Sequence, residues 1–147
     1  MTRSVLIGRS VKQAGPLVEQ IARLDIRGVY QALRQVEKLP PPADFEDRLA
    51  QAQAVIVTSG NAVGQLSHYT RKRFIPLLAV GDGTARQARA LGFGDVASAH
   101  GNANDLLALC KARLQPQAGC VLYLRGREVA NDLAPGLTEA GFQVDTL

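Results

Sequence analysis

Ala54-Val-Ile-Val-Thr-Ser-Gly-Asn-Ala-Val63, AVIVTSGNAV, holds an apolar, β-branched run that breaks off at Thr58, Ser59, Gly60 and Asn61 and then turns apolar again. A short branched run without polar alternation fits a strand buried on both faces. The hydroxyls, glycine and amide after it fit a turn into a helix. The same small groups are what a chain uses to hold a ligand with backbone N–H and short donors.

The pattern repeats outward from this point. Strands are expected over Ser4–Gly8, Gly28–Leu33, Ala54–Ser59, Pro76–Gly81, Asp95–Ala99, Cys120–Gly126 and Gln143–Leu147. Helices are expected over Gly15–Leu24, Phe45–Gln51, Gly60–Arg71, Gly83–Leu91, Ala103–Leu114 and Arg127–Ala140. Leu106, Leu107, Cys110 and Leu114 share one helical face, as do Leu133, Leu137 and Ala140. Strand then helix, repeated, predicts an α/β fold with a doubly wound parallel sheet and ligands at the carboxyl ends of its strands.

One segment interrupts the rhythm. Glu37-Lys-Leu-Pro-Pro-Pro-Ala-Asp-Phe-Glu-Asp47 contains three consecutive prolines. Prolines fix φ and remove N–H donors, so Leu39–Ala43 reads as a stiff crossing between two units. Residues 1–38 form a β-α-β piece too small to bury a core alone, and residues 44–147 form a nearly complete α/β domain.

Composition narrows the function. The chain has 147 residues, 46% apolar and 20% charged, as for an ordinary globular protein. No apolar run is long enough for a membrane span, and Val5–Gly8 is too short for a secretory signal. Cys110 and Cys120 match no metal or redox spacing and read as free thiols, pointing to a cytoplasmic protein. Residues 1–73 carry 11 Lys/Arg against 6 Asp/Glu, and residues 74–147 carry 6 against 7. The only tight basic cluster is Arg71-Lys72-Arg73, and at 5% aromatic the chain lacks stacking platforms, which argues against nucleic acid. A small polyanion suits this charge better.

Four expected strand ends carry similar signals: Thr58–Asn61, Gly81-Asp-Gly-Thr84, Gly101–Asn104 and Arg125-Gly-Arg127. In a doubly wound sheet they lie on one rim at helix N-termini, which favour anions by about 0.3–1 kcal/mol each. Capping alone would account for Thr58, Ser59, Asp82, Thr84, Asn102 and Asn104. His68 and His100 lack acidic or thiol partners at ligand spacing and are read as solvated. No dinucleotide fingerprint, Walker loop or nucleophile elbow is present, and no metal or cofactor is expected.

In this order the segments resemble uroporphyrinogen-III synthases. VLIGRSVKQAGPLVEQI is similar to the family's opening strand, arginine and helix, and AVIVTSGNAV to its strand running into Thr-Ser and then Asn-Ala-Val. LAVGDGTARQARALGF, GNANDLL and LYLRGREVANDLAPGLTEAGFQV are similar to the segments that follow. The resemblance spans the whole chain. It implies a flavodoxin-like, doubly wound domain at 44–147 and a partial second α/β domain, the start of a discontinuous one, at 1–38. It also implies a cofactor-free lyase of tetrapyrrole and haem biosynthesis, monomeric and cytoplasmic. Such an enzyme closes hydroxymethylbilane with inversion of ring D and loss of water.

By the same resemblance Thr84 is the catalytic candidate, assisting loss of the hydroxyl. Arg9, Thr58, Ser59, Gly60, Asn61, Gly81, Gly101, Asn102, Arg125, Gly126 and Arg127 are the substrate-binding candidates, with the arginines suited to charge-assisted pairs. The family places a cleft tyrosine just after the strand matching Gln143–Leu147. The chain stops short of it and of the return crossing, so the expectation includes lost activity and pairing with a second chain through the incomplete first domain. Tyr30, Tyr69 and Tyr123 are not offered as substitutes. A synthase-like domain that binds an anionic ligand or partner without catalysis is the alternative. A flavodoxin- or receiver-like domain, with Asp82 as a phosphorylation site, ranks behind it.

Overall fold

Val55, Ile56 and Val57 have 0% of their surface exposed. They occupy the middle strand of a five-stranded sheet, where branched side chains have a packed layer on either face. The computed structural model describes residues 3–8, 11–31, 36–126 and 132–147, and the side chains of all of these except 11–13 and 16. Arg9, Arg127 and the last residues of the strand expected over 28–33 lie outside the described residues. The chain divides into two units, Met1–Leu39 and Pro40–Leu147.

The first unit is a single β-α-β turn. Strand β1 (Ser4–Ile7) pairs in parallel with β2 (Arg27–Tyr30), and α1 (Val11–Ala22) connects them. A Schellman motif ends the helical segment: Ile26 N–H donates to Ile21 O, Asp25 N–H donates to Ala22 O, and Asp25 adopts φ 55°.

The second unit begins with α2 (Phe45–Gln51) and runs β3 (Ala52–Val57), α3 (Gly60–Tyr69), β4 (Leu77–Ala79), α4 (Asp82–Ala90) and β5 (Val96–Ser98). It continues with α5 (Ala103–Arg113), β6 (Cys120–Leu124), α6 (Ala134–Glu139) and β7 (Val144–Thr146). All pairings are parallel, in the order β5-β4-β3-β6-β7. The sheet is doubly wound, as expected. Counted from β3 its order is 3-2-1-4-5, with the switch between β3 and β6, whereas a flavodoxin-like sheet runs 2-1-3-4-5.

Side chains alternate between two cores. Val55, Val57, Leu77, Ala79, Leu122 and Leu124 pack with α2, α3 and α4 through Phe45, Leu49, Val63, Leu66, Ala85 and Ala88. Ile56, Leu78, Val121 and Tyr123 pack with α5, α6 and their flanks through Leu106, Cys110, Leu133, Leu137 and Phe142. α4 and α6 end in the same way, with Gly92 (φ 89°) and Gly141 (φ 88°) reversing the chain. Each is followed by a buried phenylalanine, Phe93 or Phe142, whose N–H donates to Ala88 O or Leu137 O. Only glycine takes that backbone without strain, and the phenylalanine seals the helix end.

One expected element is shorter than its sequence pattern. Of the helix anticipated over Arg127–Ala140, residues 127–131 lie outside the described residues. Within the rest, Asp132 and Leu133 are not helical and α6 begins at Ala134, with Pro135 in its first turn. Proline lacks the N–H that a helix interior needs and suits a helix start. Asp132 Oδ1 accepts from Ala134 N–H there at 3.1 Å. No helix of the described residues is long and apolar enough to cross a membrane.

Candidate functional site

The parallel sheet brings the carboxyl ends of β3, β4, β5 and β6 to one rim. Backbone bonds extend the ladder into its loops. Val80 N–H donates to Val57 O at 3.3 Å, Ala99 to Ala79 O at 2.9 Å, Gly101 to Val80 O at 3.1 Å and Arg125 to Leu147 O at 2.9 Å. Thr58, Ser59, Gly60, Asn61, Gly81, Thr84, Gly101, Asn102, Arg125 and Gly126 all lie on this rim or in the first turn of the helix leaving it.

Three helix starts on the rim differ in what satisfies them. Ser59 is the N-cap of α3, and its Oγ accepts from Ala62 N–H at 3.2 Å. Asn102 caps α5 more fully. Its Oδ1 accepts from Asn104 N–H at 2.8 Å, while its own N–H donates to Asp105 Oδ2 at 2.8 Å, completing a capping box. Gly81 caps α4 with no side-chain bond, and a Cβ added to Gly81 would meet nothing within 4 Å. The free N–H groups and open space of the rim therefore gather at Gly81–Thr84, with Thr84 half-buried.

Two of the expected ligand-binding glycines also have structural reasons to be glycine. A Cβ on Gly60 would collide with the side chain of Gln87, whose Nε2 donates to Gly60 O at 2.8 Å. A Cβ on Gly101 would collide with the Asp105 carboxylate that completes the α5 cap. Gln87 is a residue that sequence reading missed, since nothing in its spacing announces a bond to a glycine 27 positions earlier.

The Arg125 guanidinium and the His100 imidazole both stand on the rim. Arg125 is largely covered, its Nη2 lies 3.9 Å from Asp132 Oδ2, and its buried Nε has no hydrogen-bond partner among the described residues. The buried Tyr123 hydroxyl likewise meets no partner there with hydrogen-bond geometry. Burial pushes its pKa up, although Thr58 stands near enough to oppose that shift. Close by, Asn102, Ala103, Asn104, Leu107, Asp132, Leu133 and Gly136 line a cavity of about 510 Å³ between the starts of α5 and α6.

His100 is largely solvated, as expected, and it also has a partner that its sequence neighbours do not announce. Its Nδ1 lies 2.6 Å from Asp82 Oδ1, joining the loops after β5 and β4. A hydrogen bond from Ser98, with help from His100 and Arg86, holds the Asp82 carboxyl below the usual carboxylate range. Eighteen residues separate the pair in sequence, so only the adjacency of β4 and β5 unites it. His68 lies away from the rim, beside a cavity of about 530 Å³ also lined by Glu46, Tyr69, Thr70, Arg71 and Lys72. Cys110 and Cys120 are free thiols.

Comparison with known proteins agrees with this architecture. Six solved chains match the structure. One is a crystal structure of uroporphyrinogen III synthase from the extremely thermophilic bacterium Thermus thermophilus, with a TM-score of 0.51 and 23% sequence identity. The match covers 100% of this chain and 60% of that one, so the chain spans about 60% of the length of this solved relative. At that identity the likeness speaks for the fold, a mixed α/β arrangement with parallel sheets. No curated protein matches the sequence. The family model described as uroporphyrinogen-III synthase HemD matches residues 16–147, and the chain belongs to that family.

Proposed function

We propose that the chain takes part in closing hydroxymethylbilane to uroporphyrinogen III, the ring-D-inverting, water-losing step of tetrapyrrole biosynthesis. The observation that carries this reading is the family match over residues 16–147, joined to a rim where the helix start at Gly81–Thr84 has no side-chain cap and opens to solvent. Residues 44–147 serve as the second domain of such an enzyme and residues 1–38 as the start of its first. The two-stranded β1–β2 sheet and the division after Leu39 support that assignment. A cytoplasmic location goes with it.

The substrate presents acetate and propionate carboxylates around a flexible chain of pyrroles. Loss of its hydroxyl gives an azafulvene, and attack through the substituted position of ring D gives a spiro intermediate that reopens and recloses inverted. Each 1.36 kcal/mol of preference for that route shifts the partition about tenfold, so orientation by several donors suffices without a nucleophile. Arg125 and the α4 N–H groups suit carboxylates. Thr84 suits a hydrogen bond to the leaving hydroxyl, while an unactivated hydroxyl is a weak acid by itself. Arg9 and Arg127 complete the proposed cationic set. Thr58, Ser59, Asn61, Gly101, Asn102 and Gly126 shape the rim, with Ser59 and Asn102 engaged chiefly as caps.

The test is isomer analysis with hydroxymethylbilane generated in place. An excess of type III product over the enzyme-free control supports the synthase reading. Type I alone would overturn it for this chain, and tetrapyrrole binding without selectivity would then favour a non-catalytic module.

A further inference from the structure

Resting on the synthase reading, we infer that His100, oriented by Asp82, is the proton donor to the departing hydroxyl. The pair stands on the rim, with Asp82 in the same first turn of α4 as Thr84 and His100 leading into α5. Their side chains remain 73% and 54% exposed, so a ligand on the rim can reach the imidazole.

The local build goes beyond a surface ion pair. His100 adopts φ 57°, a left-handed backbone that costs a non-glycine residue energy. That conformation is held in place by His100 N–H donating to Ser98 Oγ at 3.1 Å and by Gly101 N–H donating to Val80 O. Ser98 also stands near enough to Asp82 to help hold its carboxyl below the usual carboxylate range, and Arg86 adds positive charge near it. Exposed ion pairs contribute little to stability, so strain and organisation of this kind have little structural return.

The chemistry follows from the contact. An ionised carboxylate can only accept, so Nδ1 carries the proton shared with Asp82, and Nε2 is the nitrogen left to serve a ligand on the rim. In the imidazolium form Nε2–H delivers its proton to the hydroxyl oxygen of hydroxymethylbilane as the C–O bond breaks. The pyrrole nitrogen lone pair supplies the electrons for the new exocyclic double bond, and water leaves. The proton released from the unsubstituted α-carbon of ring D, when the inverted ring recloses and its pyrrole regains aromaticity, returns to Nε2. The imidazole ends as it began. Thr84 then orients the hydroxyl that His100 protonates.

The test follows hydroxymethylbilane consumption and isomer ratio separately in the 147-residue chain and in its His100→Asn and Asp82→Asn variants. Asparagine tolerates the left-handed backbone, and urea midpoints check the folding of both variants. His100→Asn is expected to slow enzyme-dependent consumption about 10²-fold, the usual scale for a lost general acid. Asp82→Asn is expected to slow it less and to abolish the Nδ1-protonated neutral tautomer that imidazole ¹⁵N NMR should find in the unaltered chain. Type III formation undiminished in His100→Asn overturns the proton-donor role and leaves the synthase reading intact. An unaltered chain that does not accelerate consumption overturns both. Slowed turnover in Asp82→Asn with an unchanged tautomer overturns the orienting role of Asp82 alone.

Discussion

In Pro40–Leu147 the strand β3 is flanked by β4 and β6 and covered on both faces, while in Met1–Leu39 the β1–β2 pair has no further strand on either side among the described residues. The burial patterns follow. Val55–Val57 are wholly enclosed, whereas Leu6 is 64% exposed and Val5, Val29 and Tyr30 are also exposed. The two β-α-β segments are made of similar residues. What separates them is the number of neighbours, because a branched strand gains from burial only where a layer meets each face. A lone two-stranded unit is marginal for the same reason.

A matched truncation puts this contrast at greatest risk. Leu66→Ala, in the fully buried core of the second unit, should cost about 2–5 kcal/mol in urea unfolding. Leu6→Ala should stay within about 0.5 kcal/mol. Equal losses would mean that Leu6 is covered in solution and that the contrast between the units is wrong.

Alkaline titration probes the same difference by another route. The thiols and phenol whose ionisation burial opposes, Cys110, Cys120 and Tyr123, all belong to the second unit. Burial pushes Cys110 from 9.0 up to about 12. The folded chain holds this proton after the unfolded chain has lost it. The stabilisation is therefore complete below the unfolded value and is lost as pH rises from about 9 towards 12. For Cys110 alone the loss is roughly 2–3 kcal/mol by about pH 11. Urea midpoints against pH should fall across that window, and Cys110→Ala should flatten the slope. An unchanged slope would show that Cys110 is not the group responsible.

The strands of the second unit were readable because a doubly covered parallel sheet leaves unbroken apolar runs, as in Val55–Val57 and Val121–Leu124. The helix-start residue Gly81 was readable too, since it stands where local chemistry demands it. The start of α6 was missed because periodicity alone carried the expected helix across Pro135, although Asp132 and Pro135 together spell a helix start. The partners on the rim had no such signal. His100 meets Asp82, and Gln87 meets Gly60, only because neighbouring parallel strands bring their loops together. Candidate residues were thus visible as types, while their commitments as caps, glycine locks or paired acids depended on the fold.

Those commitments can be ranked by experiment. Asn102 satisfies two N–H groups of α5, and Asn102→Ala should cost about 1 kcal/mol. Ser59→Ala should cost somewhat less, with a single bond lost from α3. Urea midpoints of the two variants check both expectations. If neither moves stability, the caps are dispensable and these side chains become available to a ligand after all.

The smallest structural effect, and the most telling functional one, is expected at Gly81. Its φ of −148° is extended backbone that any residue adopts, and an added Cβ meets nothing within 4 Å. Gly81→Ala should therefore leave the urea midpoint within about 0.5 kcal/mol. The added methyl would nonetheless project into the open space beside the start of α4, where close approach of a carboxylate needs bare backbone. If the rim holds the substrate there, the variant keeps its stability and loses type III product. Full product formation with full stability would remove the start of α4 from the site and shift the binding of carboxylates towards Arg125 and the cavity beside it.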